Sequence, residues 1–466
     1  MNKSNQIDML NGPLMGKLVR FAIPFAASSI LQQLFNSVDI AVVGNFASSQ
    51  ALAAVGANGP VIALLLNFFI GISLGTNVII ANHIGQKNEE GIREAVSTSS
   101  VIALVAGFLL MIVGLLVASP LLKLMNTPAD VLDQATLYLR IVLLGAPAIL
   151  IYNFGAAILR SKGDTKRPLY ILIIAGILNT ILNLILVIVF NMAVAGVAVA
   201  TTVSNIVSAG IIVWMLTHEE GPFKLKIKGM KSYSRSLSRI LNVGLPAGFQ
   251  NMLFAISNVF VQSAINSYGA LAVAGNAAAL NYEFFSYFFV SAFDAAAVTF
   301  VGQNYGAGKV GRCKTVFKIC MTLSVIVSSL FSAIILLNGK ACMRVFTSDP
   351  QVISFGIERL KYATLWMGLA CSYEIAGSCM RGFGYSLQPA ILTIFGTCVL
   401  RIVWIYAVSP VWPGLTAFAA CIPGFMDTNR RYGTGRLSSH EQEGVCAGVR
   451  RKPHLNPARR ITMLLS

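Results

Sequence analysis

The chain has 466 residues, of which 56% are hydrophobic and only 11% charged, with a formal net charge of +17. A soluble domain carries about 25% charged residues, and mean hydropathy here is +0.72, so an ordinary soluble enzyme, a disordered chain and a secreted disulfide scaffold are excluded and a polytopic membrane protein is indicated. The charge is uneven: residues 1–410 hold 27 Lys+Arg against 15 Asp+Glu, net +12, and residues 411–466 hold 8 against 3, net +5.

A helix needs about 20 apolar residues to cross a bilayer core. The polar opening MNKSNQIDMLNGPLMGKL leads into an apolar run too long for a cleavable signal, which predicts a retained first span at 18–45. Further spans are predicted at 54–83, 96–119, 136–159, 168–190 and 193–217. A basic stretch at 218–238 follows, then spans at 239–266, 271–301, 315–338, 356–380 and 387–409, eleven in all. The runs are continuously apolar, whereas barrel strands alternate, so the fold class is all-α. Eight cysteines, none in a C-x-x-C, read as small apolar packing residues. No G-x-x-x-x-G-K-[ST], metal-ligand spacing or catalytic triad is present, so no enzyme is expected.

Lys and Arg concentrate in alternate connections: Lys3, Lys17 and Arg20; Lys87 and Arg93; Arg160, Lys162, Lys166 and Arg167; Lys224 to Arg239; and Lys309, Arg312, Lys314 and Lys318. The connections 46–53, 191–192 and 267–270 hold none, although Lys123, Lys340 and Arg344 are exceptions on that side. This bias predicts a cytoplasmic N-terminus. The basic 218–238 stretch is therefore explained by topology and contact with membrane lipids, and no nucleic-acid partner is expected.

The chain also repeats itself. Pro24 and Pro246 open related segments, and Asn36 falls on Asn258 at an offset of 222. ALAAVG at 51–56 resembles ALAVAG at 270–275, and IGQKN at 84–88 resembles VGQNYGAGK at 301–309. Arg160, Gly163 and Pro168 match Arg381, Gly384 and Pro389 at an offset of 221. Two homologous halves in the same orientation follow: a six-helix bundle at 1–217, a linker at 218–238, and a second bundle at 239–410 with five clear spans. The repeat requires a twelfth span near 414, but the 411–466 tail is polar, Gly/Pro-rich and basic. The twelfth helix is expected to be missing or replaced by an aberrant end.

With these motifs in place (VDIAVVG at 38–44, the IGQ and VGQNYGAG turns, LNTILNLILV at 178–187, and the R-S-K-G-D-T-K-R-P and R-G-F-G-Y-S-L-Q-P connections), the sequence resembles the multidrug and toxic compound extrusion (MATE) transporters over about residues 10–410. Their wider group includes polysaccharide flippases. The resemblance implies two pseudo-symmetric six-helix bundles forming a V-shaped, alternating-access antiporter. It would export small-molecule cationic or amphipathic substrates in exchange for H⁺ or Na⁺, as a monomer in the plasma membrane, with no cofactor beyond the coupling ion. A lipid-linked oligosaccharide flippase of the same fold group, or a non-functional remnant, stand as alternatives.

Ionisable groups within spans are costly and mark functional candidates; Asp39, Glu283, Asp294, Glu374 and Arg401 are singled out. The resemblance makes Asp39 the first-lobe coupling acid, with Asn179, Asn183 and Thr201 as its neighbours. Asn183 stands where some relatives carry a second acid. Asn179 and Asn183, four apart, share a helix face. Relatives place a second-lobe acid in span 7, where this chain has Gln250, Asn251, Asn258 and Gln262, so Glu283 or Glu374 are candidates to replace it. Glu283 and Asp294, eleven residues apart, are expected on one side of span 8, roughly 16 Å apart. The aromatics around Glu283 could stack on flat cations or pack. Arg401 is expected to pair with an acid or with backbone carbonyls, His83 to be an interfacial histidine, and Pro24, Pro147 and Pro246 to permit bends.

Overall fold

The structure, a computed structural model, describes residues 6–125, 127–266, 268–365 and 367–408. The tail at 411–466 and the replaced twelfth span expected there lie outside the described residues.

Among those residues the chain is helical throughout, without strands. The first half runs α1 (Met15–Phe46), α2 (Ser49–Gly85), α3 (Glu89–Leu124), α4 (Ala129–Leu144), α5 (Ala146–Ser161), α6 (Lys166–Leu184) and α7 (Ala193–Thr217). The second half runs α8 (Ser234–Asn266), α9 (Ala270–Gly306), α10 (Val310–Leu337), α11 (Gly339–Arg344), α12 (Pro350–Leu365), α13 (Met367–Gly382), α14 (Leu387–Thr393) and α15 (Leu400–Val403), the last two joined by a π-helical segment. Capping sets several starts. Ser48 accepts from Ala51 N to open α2, and Asn88 accepts from Gly91 N to open α3, whose first turn carries Glu89 and Glu90.

Nine helices are long and apolar enough to cross a membrane among the described residues. The pair α4 and α5, bent by 47°, makes a tenth if the two are counted as one span. The sequence predicts one continuous helix over 136–159; the structure breaks it at Gly145, because Pro147 enters the first turn of α5 and has no N–H for the preceding turn. The predicted span at 356–380 likewise falls on two helices, α12 and α13, which stand one repeat (offset 221) from α4 and α5. Pro24 and Pro246 lie inside continuous helices, and Ser28 Oγ donates to the Pro24 carbonyl at 2.8 Å, four residues on.

In the first half α3, α4 and α6 pack with α5 and α7; in the second, α9 gathers α10, α12 and α13. The halves meet where α2 lies along α8 and α9, and α1 along α9. At the end of the bundle that holds the N-terminus this contact is reciprocal. Asn82 Nδ2 donates to the Gly382 carbonyl at 3.4 Å, and Gln303 Nε2 donates to the Ser161 carbonyl at 2.7 Å. Ser161 and Gly382 are repeat equivalents at offset 221, so each half's long second helix holds the end of the other half's fifth. The crossing is tight enough to require glycine: a Cβ on Gly85 would lie 2.0 Å from Gln303 O, and one on Gly306 would lie 2.1 Å from Asn82 O. Thr299 Oγ1 adds a bond to Asn77 Oδ1 at 3.1 Å. The N-terminal segment closes over this end. Its Met9 and Leu14 are buried among Phe21, Phe300 and Val316, and its carbonyls accept from Asn304, Lys309 and Arg312.

Candidate cation-coupling site

Asp39 sits in the C-terminal third of α1, with 7% of its surface exposed. Two oxygen- and nitrogen-bearing helices face it. On α6, Asn183 Nδ2 donates to Asp39 Oδ1 and also to Asn179 Oδ1 at 3.2 Å. On α7, Thr201 Oγ1 donates to Asp39 Oδ2 at 3.3 Å and accepts from Asn179 Nδ2 at 3.4 Å. The four residues named from the sequence thus form one closed circuit. Asn183 is fully buried, and its Oδ1 has no hydrogen-bond partner. A buried amide oxygen normally finds a donor, so this one is a spare ligand beside a carboxylate.

Local sequence explains the convergence. The four-residue spacing of Asn179 and Asn183 brings both amides to one face of α6. Gly176, one turn earlier, lets α1 approach: a Cβ there would lie 1.8 Å from the Phe35 ring. Directly after Asn183 the helix widens into a π-helical turn, Ile185–Val189, closed by Phe190 N to Ile185 O at 3.1 Å. Its repeat equivalent is the π-helical segment Trp404–Val408. Such turns occur often beside functional residues. Tyr138, on α4, is 7% exposed and lies within electrostatic range of Asp39. It was not singled out in the sequence, where one tyrosine in an amphipathic stretch carries no signal.

The second lobe departs from expectation. Glu283 and Asp294 do not share a site. Glu283 pairs with Arg359 of α12, Nη2 to Oε2 at 2.9 Å. Asp294 lies beside Arg381 and Ser378 of α13, and Glu374 stands near Asp294, Arg381 and Tyr373. Spacing within one helix does not tell which neighbouring helix covers each turn. Gln250 accepts from Arg381 Nη2 at 2.9 Å, and Ser378 Oγ from Nη1 at 3.1 Å. Asn258 accepts from Arg401 Nη1 at 3.0 Å. Arg401 therefore meets an amide oxygen and the Phe254 ring, 5.5 Å from its centroid, rather than an acid.

Arg359 and Arg381, both under 8% exposed, were missed. Arg359 lies inside the 356–380 run and could have been read there. At the offset of 221 that sets α9 on α2, Asp294 falls on Ser73, so the first lobe has no acid at the equivalent place. Asn77 Nδ2 instead reaches the Ala157 carbonyl of α5 at 3.5 Å. Of the aromatics near Glu283, Tyr282 meets Phe346 edge-on and Phe289 packs at a tilt on Phe331, while Phe284 and Tyr287 are exposed. His83 is 6% exposed.

Outside the spans, Glu219 bridges Lys162 Nζ, at 2.7 Å, and Arg167 Nη1, which also binds Asp164 through Nε. Burial alone would raise the Glu219 carboxyl. Its bonds to Lys162 and Arg167 outweigh burial and hold it below the usual carboxylate range. Burial lowers Lys162.

Two long-helix bundles, joined by a short linker and carrying a buried acid with an amide and hydroxyl shell, define a multi-pass membrane transporter. The MatE family model matches the chain twice, over residues 24–185 and 246–407, starting at Pro24 and at Pro246. The chain belongs to the MatE (MATE) transporter family. It is 27% identical over 399 residues to the probable multidrug resistance protein YpnP of Bacillus subtilis, covering 84% of this chain and 88% of that one. It is 28% identical over 392 residues to the probable multidrug resistance protein NorM of Thermotoga maritima, covering 83% and 84%. A crystal structure described as the outward-facing conformation of a multidrug resistance MATE transporter superposes with a TM-score of 0.86 at 22% identity, covering 97% of this chain and 100% of that one.

Proposed function

We propose that the chain exports cationic or amphipathic small molecules across the plasma membrane by antiport with H⁺ or Na⁺, as a monomer with its N-terminus in the cytoplasm. The observation that carries this reading is the Asp39 circuit. A carboxylate removed from water binds a proton or a cation far more readily than an exposed one. Here Asn183 and Thr201 stabilise its charged form, while Asn183 Oδ1 is a free acceptor at its side. Loading Asp39 with a proton or Na⁺ removes the charge that those donors hold, which links occupancy to the α1–α6–α7 arrangement.

The reciprocal Asn82–Gly382 and Gln303–Ser161 bonds support the alternating-access half of the proposal. They hold the halves together at the N-terminal end and must open for the opposite conformation to form. The drug-resistance names of the relatives supply the substrate class.

The flippase reading draws on a specific observation, the three second-lobe arginines Arg359, Arg381 and Arg401. Each is already engaged, by Glu283, by Gln250 and Ser378, and by Asn258. A polyanionic carrier would have to displace those partners, so the exporter reading is favoured.

The test is ethidium accumulation in an efflux-deficient bacterium expressing the chain. Accumulation should fall relative to an empty vector and recover with Asp39→Asn. If the chain leaves ethidium and other cationic dyes unaffected, the drug-exporter reading is wrong.

A further inference from the structure

We propose that the linker between the halves is a docking surface for anionic phospholipid headgroups. The proposal rests on the inward orientation given above, not on the transport reading.

Lys224, Lys226, Lys228, Lys231 and Arg235 are all exposed. None has a carboxylate partner among the described residues. Of the acids beside the strip, Glu219 is occupied by Lys162 and Arg167, and Glu220 and Glu94 form no ion pair with these five side chains among the described residues.

The strip is held, not loose. Leu225 is buried at 6% exposure in the first-half core, and its N–H donates to Leu216 O at 2.9 Å. Phe223 and Met230 pack on the same core. Lys231 is tied twice to α3: its N–H donates to Ser97 Oγ at 2.9 Å, and Ser97 Oγ lies 2.8 Å from its carbonyl. Tyr233 N donates to Thr98 Oγ1 at 3.1 Å.

Those anchors also fix the depth. Ser97 and Thr98 lie one turn before Val101, where the uninterrupted apolar run of α3 begins. The lysines are therefore pinned at the level of the phosphates rather than out in the cytosol. Ile227, 58% exposed, and Tyr233, 39% exposed, sit among them, an apolar and an aromatic contact suited to the interfacial zone. Fixed cations at headgroup depth, without a carboxylate ion pair among the described residues, fit a phosphodiester anion. Each contributes to attraction that salt weakens.

The test is native mass spectrometry of the full-length chain released from micelles containing equal amounts of phosphatidylglycerol and phosphatidylcholine. The variant replaces Lys224, Lys226, Lys228 and Lys231 by Gln. Wild type should retain phosphatidylglycerol in preference, and the variant should lose that preference by about ten-fold or more. Lys340→Gln with Arg344→Gln, away from the strip, should change nothing. Should the quadruple variant fold poorly, wild type at about 0.05 M and 0.5 M salt supplies the same answer, since the preference must weaken as screening rises. Equal phosphatidylglycerol retention by wild type and variant, or salt-independent preference, overturns the proposal. Orientation is read separately: Lys228→Cys must resist a membrane-impermeant thiol reagent in intact cells. Labelling there would overturn the orientation while leaving the lipid measurement interpretable.

Discussion

Asn183 donates to Asp39 across 144 positions of chain, and the same amide nitrogen also reaches Asn179. One side chain thus fixes the geometry of the buried carboxylate and leaves its own oxygen free. A hydrogen bond to a charged group is worth about 1.5–3 kcal/mol, which corresponds to roughly 10–100-fold in an equilibrium. Asn183→Leu should therefore lower coupled export by about that factor, while the protein still reaches the membrane at normal levels. Dye efflux normalised to expression checks this. Unchanged efflux would show that the amide does not position Asp39.

Gly176 sets how closely α1 can approach α6. Because a Cβ there overlaps the Phe35 ring, Gly176→Val should lower the thermal unfolding midpoint by several degrees, an overpacking cost of about 1–3 kcal/mol. Combining it with Phe35→Ala should recover part of the loss, giving a non-additive double-mutant cycle. Additive losses would mean that the two residues do not limit the approach.

The crossing of α2 over α9 leaves no room for a side chain at Gly85 or Gly306, since the obstructing atoms are backbone. Gly306→Val should prevent the N-terminal end from closing. In a background lacking the eight native cysteines, Val78→Cys, fully buried in the closed end, should then react with a thiol reagent about ten-fold faster than without Gly306→Val. That factor corresponds to a shift of about 1.4 kcal/mol in the opening equilibrium. Equal rates would count against this crossing as the closure.

The Glu219 bridge gives a pH dependence with a defined sign. Its folded carboxyl titrates below the ordinary range. The bridge therefore stabilises the fold fully above about pH 4.5, where the unfolded carboxyl is ionised. The contribution is lost as pH falls through the folded value. Wild type should lose more thermal stability between pH 7 and pH 3.5 than Glu219→Gln does. Parallel losses in the two proteins would remove the bridge as an acid-sensitive contact.

Part of the first-lobe site was legible in local signals, and the grouping of Asn179, Asn183 and Thr201 around Asp39 came from the family resemblance. Asp39 stands out as an acid in an apolar run, and the spacing of Asn179 and Asn183 fixes a shared face. Which helix meets which face is decided by tertiary packing, to which periodicity within one helix is blind. That is why Tyr138 was missed and why Glu283 and Asp294, expected on one side of span 8, meet different partners. Arg381 was placed in a connection because the apolar run ends beside it, yet its guanidinium turns inward to Gln250. The break at Gly145 was nearly visible in the Gly-Ala-Pro of residues 145–147, but an apolar stretch of ordinary span length concealed it.

The most direct measurement of coupling at Asp39 uses purified protein in liposomes, with an imposed pH gradient or Na⁺ gradient and a cationic dye as substrate. The account predicts dye movement driven by at least one of the two gradients in wild type. Asp39→Asn should abolish the driven component while leaving dye binding in place. Gradient-driven transport by Asp39→Asn at the wild-type rate would contradict it.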